Sequence, residues 1–284
     1  MLNFDDQLDK LIHAALQEDI GDGDHSTLAC ISPDARGKAL LHIKQDGIVA
    51  GVAVAEKIFH LREPSASFNA FKKDGKPMKA GETAFEVETR VRTILACERL
   101  VLNCMQRMSG IATLTRQFVE RIDGYHARIL DTRKTTPNFR LLEKEAVRIG
   151  GAMNHRFGLF DMILLKDNHI DYCGGIENAI RKANEYIRSK NLVLRIEIET
   201  RNLDEVRRVV DCSGVDRIML DNFRPHDIVL ALDLIKGRFE SEASGGINLE
   251  NIVDYAKTGV DFVSIGGLIH QARSLDLSLK AEMS

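Results

Sequence analysis

The chain has 284 residues, of which 44% are hydrophobic and 29% are charged, with 39 lysines and arginines against 42 aspartates and glutamates. This composition is typical of a globular protein of one or two domains and excludes a chain that is mainly disordered. The formal net charge of −3 gives no overall attraction to nucleic acid or to an anionic membrane. Any anion-binding site must therefore be local.

The apolar runs are short. Met162–Leu165 is one of the longest, whereas a membrane-spanning helix needs about 20 residues. The segment Met1–Asp6 lacks the basic and apolar regions of a secretory signal, so we expect a soluble cytoplasmic protein. The cysteines are scattered, five in number and without a metal-binding pattern, so we expect buried, reduced thiols at Cys30, Cys97, Cys104, Cys173 and Cys212.

The first part of the chain predicts a mixed α/β unit. Apolar residues at helical spacing predict an opening amphipathic helix: Leu8, Leu11, Ile12, Ala15 and Leu16. Alternating patterns predict strands over 38–44 and 83–88, with a turn at Asp74–Lys76 before the second. The apolar spacing from Arg92 to Met108 then predicts one long helix.

From about Ala127 the pattern changes to short apolar strands that alternate with helical segments. The predicted strands are Ala127–Leu130, Met162–Leu165, Leu192–Ile198, Arg217–Leu220, Phe239–Ala243 and Phe262–Ile265. Strands joined by crossover helices run parallel, and six in succession close most easily as an α/β barrel. A doubly wound open sheet is the alternative.

Polar or glycine-rich segments follow every one of these strands. They are Asp131–Lys134, Lys166–His169, Glu199–Thr200, Asp221–Asn222, Ser244–Gly246 and Gly266–Gly267. In an α/β barrel the carboxyl ends of the strands converge on one mouth, where ligands bind. The pattern therefore predicts one shared site rather than a set of solvated loops.

Cations are concentrated at this predicted mouth. Arg133, Lys134 and Lys166 follow strands, and the loop Gly150–Arg156 brings further candidates. Because arginine presents paired donors to carboxylates and phosphates, the ligand should be a small polyanion. The acidic residues Glu199 and Asp221 could bind sugar hydroxyls or hold Mg²⁺ on a diphosphate, or they could only form salt bridges to the same cations.

Two glycine-rich loops that follow predicted strands favour a phosphate-binding site. Ser244–Gly246 precedes a predicted helix from about Leu249, and Ser264–Gly267 follows the last predicted strand. Glycine allows backbone N–H groups to approach a phosphate closely, and barrels often bind phosphate after their last two strands. Each glycine pair alone could be only a tight turn.

With these motifs in order, the sequence closely resembles the quinolinate phosphoribosyltransferase family, the type II phosphoribosyltransferases of NAD biosynthesis. The resemblance covers nearly the whole chain and rests on Glu18–Asp24, Glu98–Arg99, Leu102–Asn103, Ser109–Thr113, Asp131–Thr135, Gly150–Gly151, Asn154–Arg156, Lys166–His169, Glu197–Glu199, Leu220–Phe223 and Ser244–Ile247. Asn138 stands where the family usually has glycine, and Ile269 where threonine is common.

The resemblance implies an N-terminal α/β sandwich domain, residues 1–110, and an incomplete α/β barrel of parallel strands, residues 111–270. The segment 271–284 is expected to pack with the first domain. The implied assembly is a homodimer or a higher homo-oligomer. The implied reaction joins quinolinate to 5-phosphoribosyl-1-diphosphate with Mg²⁺, and gives nicotinate mononucleotide, diphosphate and carbon dioxide.

The resemblance also implies roles for individual residues. Lys134, Glu199 and Asp221 are the expected catalytic residues, and Glu199 and Asp221 the expected magnesium ligands, direct or through water. Arg99 is expected to complete the neighbouring subunit's site. The full expected substrate-binding set is Arg99, Thr132, Arg133, Lys134, His155, Arg156, Lys166, Glu199, Asp221, Ser244, Gly245, Gly246, Ser264, Ile265, Gly266 and Gly267.

Three other functions compete with this expectation. A related phosphoribosyltransferase could act on a different aromatic acid, since one fold carries many sites. Lys134 or Lys166 could be the Schiff-base lysine of an aldolase, although neither has a recognisable acid/base partner beside it. A non-catalytic phosphate-binding regulator would leave the pair Glu199 and Asp221 without a purpose.

Overall fold

The computed structural model describes residues 3–282. In this range the strands are β1 (Arg36–Ile43), β2 (Gly47–Ile48), β3 (Ser67–Ala70), β4 (Pro77–Met78), β5 (Thr83–Arg90), β6 (Arg128–Leu130), β7 (Ile163–Leu165), β8 (Ile196–Thr200), β9 (Arg217–Asp221), β10 (Glu240–Ser244), β11 (Phe262–Ser264) and β12 (Leu277–Glu282).

The helices of the same range are α1 (Phe4–Ile20), α2 (His25–Cys30), α3 (Val52–Arg62), α4 (Val91–Arg121), α5 (Arg140–Gly150), α6 (Asp167–Cys173), α7 (Ile176–Lys190), α8 (Leu203–Cys212), α9 (Pro225–Ile235), α10 (Ile252–Ala256) and α11 (Gly267–His270). No helix among these residues is both long enough and apolar enough to cross a membrane.

The chain divides into two compact units. Unit 1 contains the described residues up to Arg116, the segment Thr135–Gly151 and the residues from Leu268 onward. Unit 2 contains Gln117–Lys134 and Ala152–Gly267. The chain therefore passes between the units several times, and two of these passages follow segments that the sequence predicts to bind substrate.

Unit 1 is built on an antiparallel sheet with the strand order β12-β1-β5-β3. Leu41 of β1 pairs with Leu279 of β12 on one side and with Phe85 of β5 on the other. Phe59 of α3 packs edge-on against Phe85, with ring centroids 6.3 Å apart, so this helix covers the apolar face of the sheet. The opening helix and the strands predicted over 38–44 and 83–88 are confirmed as α1, β1 and β5.

Unit 2 contains six parallel strands in the order β6-β11-β10-β9-β8-β7. The strands from β7 to β11 follow one another in chain order, and the first strand, β6, lies beside the last. A doubly wound sheet would instead reverse its order in the middle. Since β6 and β7 are not paired with each other in the described part of the chain, the sheet is an incomplete barrel, as predicted.

The strand predicted at Leu192–Ile198 begins too early. Asn191 adopts a left-handed conformation (φ 51°) at the end of α7, and the amide of Leu192 donates to the carbonyl of Ile187 at 3.0 Å. Leu192 therefore closes the helix, and Val193 is fully exposed. The strand starts at Ile196, whose amide donates to the Asp216 carboxylate at 2.6 Å.

The helix predicted to end at Met108 continues to Arg121. Gly110 allows α4 to pass close to the backbone at Arg273. A Cβ at position 110 would lie 2.8 Å from the carbonyl carbon of Arg273. The glycine is used here for close packing and does not end the helix.

The prediction of five buried thiols is correct only for Cys97 and Cys104, where burial raises the thiol pKa to about 12. Cys30 and Cys212 are exposed and Cys173 is half-buried, although all five are free. Cys30 and Cys212 are the last residues of α2 and α8, where a helix turns toward solvent.

Candidate active site

The predicted site residues of unit 2 lie at the carboxyl ends of its parallel strands. Thr132, Arg133 and Lys134 follow β6, and Lys166 follows β7. Glu199 is the fourth residue of β8, and β9, β10 and β11 end at Asp221, Ser244 and Ser264. Because all six strands run parallel, these ends lie at the same edge of the sheet. Arg99 is an exposed residue of α4 in unit 1.

An acidic pair and a lysine occupy the ends of three neighbouring strands. Lys166 Nζ lies 3.7 Å from the Glu199 carboxylate. Burial, and after it the negative charge of Asp221, raise the pKa of Glu199, while Lys166 opposes this rise. Asn222 donates to the Asp221 carboxylate at 2.6 Å. The structure therefore places two carboxylates together with one cation, an arrangement that can bind a divalent metal ion or ribose hydroxyls.

Two arginines of the strand-end loops, Arg133 and Arg156, lie close enough for their charges to interact. Burial, and after it the positive charge of Arg133, lower the pKa of Arg156, while Glu197 and Asp161 oppose this change. Arg156 also donates to the carbonyl of Met162 at 3.2 Å. Paired guanidinium groups that repel each other are well suited to an anion with two carboxylates, which would relieve the repulsion.

The loop that carries Arg156 is held by buried hydrogen bonds. Asp131, which is fully buried, accepts the amide of His155 at 2.8 Å. The amide of Arg156 in turn donates to Nδ1 of His155 at 2.7 Å. The carboxylate of Asp161 accepts the amides of Phe157 and Gly158 at 2.7 and 2.8 Å. The position of Arg156 is therefore fixed from both sides.

Beneath this loop lies a buried charged cluster that consists of His155, Glu197, Arg217 and Glu242. His155 Nε2 lies 3.0 Å from Glu197 and 3.6 Å from Glu242, and Arg217 donates to Glu242 at 2.8 Å. Nδ1 of His155 accepts the amide of Arg156, so Nε2 is the ring nitrogen that faces the two glutamates. The His155 side chain is only 7% exposed.

The two glutamates of this cluster are strongly perturbed. Burial raises the pKa of Glu197 to about 7, against the opposing charge of Arg217. Burial, and after it the charge of Glu197, raise the pKa of Glu242 to about 7. Ligand atoms of His155, Glu197 and Glu242 lie within 4.8 Å of one another, a spacing that suits a metal ion. Arg217 already neutralises one carboxylate, so the arrangement is better described as an ion-pair network.

The glycine loop after β10 is shaped for a close approach. Gly245 and Gly246 have φ angles of 97° and 64°. A Cβ at Gly245 would collide with the side chain of Asn222, which itself has a left-handed backbone. No other residue fits at Gly245, and its backbone is left accessible. After β11, the amide of Ile265 donates to the carbonyl of Leu130 at 3.0 Å and so aligns the second glycine loop with β6.

Comparison with known proteins assigns the family. Residues 24–109 match the model of the quinolinate phosphoribosyl transferase N-terminal domain, and residues 111–280 match that of the C-terminal domain. The chain belongs to the quinolinate phosphoribosyl transferase family. This agrees with the resemblance seen in the sequence motifs.

Named relatives are similar over most of their length. The chain is 44% identical to the chloroplastic nicotinate-nucleotide pyrophosphorylase (carboxylating) of Arabidopsis thaliana, over 97% of this chain and 83% of that protein. It is 41% identical to a probable nicotinate-nucleotide pyrophosphorylase of Bacillus subtilis, over 98% and 94%. The crystal structure of NadC from Streptococcus pyogenes matches with a TM-score of 0.90 and 40% identity, over 96% and 95%.

The two departures from the family pattern have structural explanations. Asn138 has a φ of 61°, and asparagine is the residue after glycine that best tolerates this conformation. Ile269 is almost fully buried, and it is its backbone carbonyl that makes a polar contact, accepting from Arg107 at 2.9 Å. The identity of the side chain at 269 therefore leaves this contact unchanged.

The sequence motifs alone did not reveal the buried network. Glu197, Arg217 and Glu242 were not among the expected site residues, although Glu197 lies in one of the motifs. A signal was present: Glu197 and Glu199 alternate in β8, as do Glu242 and Ser244 in β10, so each pair shares one face of its strand. Charges on the inward face of a barrel strand indicate a polar interior.

A pH prediction follows from the raised pKa of Glu242. In the folded state this carboxyl keeps its proton up to about pH 7, whereas its usual pKa is 4.5. The native state therefore binds more protons between these values, and stability falls as the pH rises through them. In Glu242→Gln this fall should be smaller, by as much as about 3 kcal/mol across the window. Denaturant unfolding of both proteins at several pH values measures the difference.

Glu240→Gln is the matched control, two residues earlier on the same strand. Burial raises the pKa of Glu240, but hydrogen bonds from Arg195 and Arg217 outweigh burial and the net pKa is lowered. The contribution of Glu240 to the free energy of unfolding should therefore be lost as the pH falls, whereas that of Glu242 is lost as the pH rises. Equal pH profiles for the two variants would contradict the assignment.

Proposed function

We propose that this chain transfers the phosphoribosyl group of 5-phosphoribosyl-1-diphosphate to quinolinate, with loss of carbon dioxide. The products are nicotinate mononucleotide and diphosphate, so the enzyme is a transferase of pyridine nucleotide biosynthesis. The names of the relatives support this activity. The observation that carries it is that one set of parallel strand ends bears both the interacting cations Arg133 and Arg156 and the interacting acids Glu199 and Asp221.

In this proposal the arginines bind the dicarboxylate. Arg133 and Arg156 each bind a carboxylate of quinolinate, and Lys166 lies at the edge of the same region. The His155 side chain supports Arg156 because its Nδ1 accepts the backbone amide of Arg156. Substrate carboxylates would offset the mutual repulsion of the arginines, which favours binding of this particular charge pattern.

The remaining residues bind phosphoribosyl diphosphate. Glu199 and Asp221 orient the ribose hydroxyls, and the backbone of Ser244–Gly246 and Ser264–Gly267 binds the 5-phosphate. The amide of Lys134 donates to Thr132 Oγ1 at 3.1 Å, and the lysine side chain is exposed. In this proposal the side chain interacts with both substrates.

Glu199 and Asp221 also fit a magnesium ion. Hard cations prefer carboxylate oxygens, and a bound cation would offset both the burial of Glu199 and the neighbouring charge of Asp221, which raise the pKa of Glu199. When bound, Mg²⁺ would neutralise charge on the diphosphate leaving group.

The proposed reaction has two bond changes at the ring. The pyridine nitrogen attacks the anomeric carbon, and the bond from this carbon to diphosphate breaks with its electron pair. The resulting cationic ring then accepts the electron pair of the bond to the adjacent carboxylate, which leaves as carbon dioxide. A proton from solvent replaces it, so no general base of the protein is needed.

We further propose a cytoplasmic homodimer in which Arg99 of one chain completes the site of its partner. Arg99 is exposed on α4, and a two-fold interface would give each dimer two composite sites. A related plant protein is named chloroplastic, whereas the bacterial relative supports a cytoplasmic location.

Schiff-base chemistry is not favoured at the strand ends. Lys166 is exposed and lies 3.7 Å from the Glu199 carboxylate. A Schiff-base lysine is instead activated by burial in an apolar pocket or by a neighbouring cation. The direct test of the proposed function is detection of nicotinate mononucleotide from quinolinate, phosphoribosyl diphosphate and Mg²⁺, with nicotinate as the competing substrate. Turnover of nicotinate in preference to quinolinate would refute the proposal.

The arginine pair gives the first prediction for this activity. Arg133→Ala or Arg156→Ala removes a charge-assisted contact of about 1.5–3 kcal/mol, so kcat/KM for quinolinate should fall roughly tenfold or more. Arg148→Ala is the control, because this exposed arginine pairs with Glu145 on α5. A folded Arg156→Ala enzyme with unchanged kcat/KM would remove this residue from the substrate site.

The acidic pair should act on the other substrate. Glu199→Gln and Asp221→Asn should reduce turnover and alter the Mg²⁺ dependence, because both lose charge that faces the metal and the ribose. Quinolinate affinity measured by calorimetry should stay within a few-fold. If these variants instead lost quinolinate affinity and kept a normal Mg²⁺ response, Glu199 and Asp221 would have to be assigned to quinolinate binding rather than to the metal and the ribose.

Mixing two inactive variants tests the composite site. Arg99→Ala and Lys134→Ala chains, unfolded and refolded together, should regain activity because one site in each heterodimer is intact. Each variant refolded alone is the control. A site formed within one chain predicts no recovery in the mixture.

A further inference from the structure

A buried ion pair in unit 1 binds the two chain segments that follow the predicted substrate loops. Arg107 lies on α4, and Glu143 lies on α5 and is fully buried. Neither residue is among the expected site residues, and neither belongs to a motif that the proposed function uses. Their partners nonetheless lie next to those loops in the chain.

Glu143 is saturated with hydrogen bonds. Its Oε1 accepts from Nε and a terminal nitrogen of Arg107, at 2.9 and 2.8 Å. The amide of Thr136 donates to Oε2 at 2.7 Å, and the Thr136 hydroxyl donates to Oε1 at 3.0 Å. Thr136 is the second residue after Lys134.

Arg107 binds a second segment with its remaining donors. One terminal nitrogen donates to the carbonyl of Ala272 at 2.7 Å, and the other donates to that of Ile269 at 2.9 Å. Ile269 is the second residue after Gly267, at the end of the glycine loop that follows β11. One guanidinium group therefore binds one segment directly and the other through Glu143.

The chain between the ion pair and each loop is short. Two residues span at most about 7 Å, so fixing Thr136 and Ile269 strongly restricts where Lys134 and Gly267 can lie. Well-packed apolar side chains would often stabilise a core as well as a buried ion pair does. A planar guanidinium group can, however, hold two backbone carbonyls and a carboxylate in one fixed geometry.

We propose that the Arg107–Glu143 pair is a positioning device that fixes the Lys134 loop and the Gly266–Gly267 loop together. The kinetic part of this proposal rests on the proposed function, because these loops bind phosphoribosyl diphosphate there. Apart from the Thr136 hydroxyl, the pair contacts only the backbone of these segments, so Arg107 and Glu143 are positioning residues.

Hydrogen exchange tests the device without any substrate. In Glu143→Gln, deuterium uptake should increase at least several-fold in peptides that cover 134–138. In Arg107→Lys the charge pairing with Glu143 is kept but the planar fork is lost, so uptake should increase in peptides that cover 267–273 and stay near the wild-type level in 134–138. Unchanged uptake in both segments for both variants would overturn the proposal.

Kinetics with a matched control separates positioning from simple loss of stability. Glu63 is a buried glutamate of the same unit that accepts from Thr93 at 2.7 Å and pairs with Arg90 at 3.0 Å. Glu63→Gln should therefore lower the melting temperature to a similar degree as Glu143→Gln. Only Glu143→Gln should raise KM for phosphoribosyl diphosphate and lower kcat, with kcat/KM reduced tenfold or more.

The outcomes distinguish the two proposals. Equal kcat/KM losses in Glu143→Gln and Glu63→Gln would show that Glu143 acts only through stability. If the wild-type enzyme does not convert quinolinate, the proposed function fails, while the exchange experiment still decides whether the pair fixes both segments. Arg107→Lys should recover part of the activity that Arg107→Met loses, and a lysine variant as inactive as a folded methionine variant would also contradict the proposal.

Discussion

A site that gathers cations for anionic substrates must keep those cations together before any substrate arrives. In unit 2 this constraint is visible in Arg156, whose pKa is lowered by burial and then by the charge of Arg133. Free arginines in this position would move apart into solvent. Asp131, Asp161 and the carbonyl of Met162 hold Arg156 and its loop in place.

The buried network supplies the compensating negative charge at a considerable desolvation cost. Glu197 and Glu242 lie beside Arg217, which donates to Glu242 and also stacks on the Phe262 ring at 4.1 Å from its centroid. Burial raises the pKa of both glutamates to about 7, while the charge of Arg217 opposes this rise. In their ionised form the two carboxylates offset the positive charge of the nearby arginines.

The sequence predicts the parts of this protein that depend on local pattern. Alternation and helical spacing locate β1, β5 and the barrel order, and the strand-end motifs identify Arg133, Lys166, Glu199 and Asp221. The predicted start of β8 was wrong because helix capping by Asn191 and Leu192 competes with the strand pattern of an apolar run. The pairing of Arg107 with Glu143 could not be predicted, because the residues are far apart in sequence and each has an ordinary helical environment.

Chain connectivity explains why unit 1 contains an ion pair that matters for loops of unit 2. A barrel strand fixes the first residue of the loop that follows it. The position of the rest of the loop depends on how firmly the last residue of the loop is held. The segment after β6 passes into unit 1 at Thr135, and the segment after β11 passes into it at Leu268. Anchoring both segments on one guanidinium group couples their positions, so the cation loop and the glycine loop are ordered by the same pairing of α4 with α5 inside unit 1.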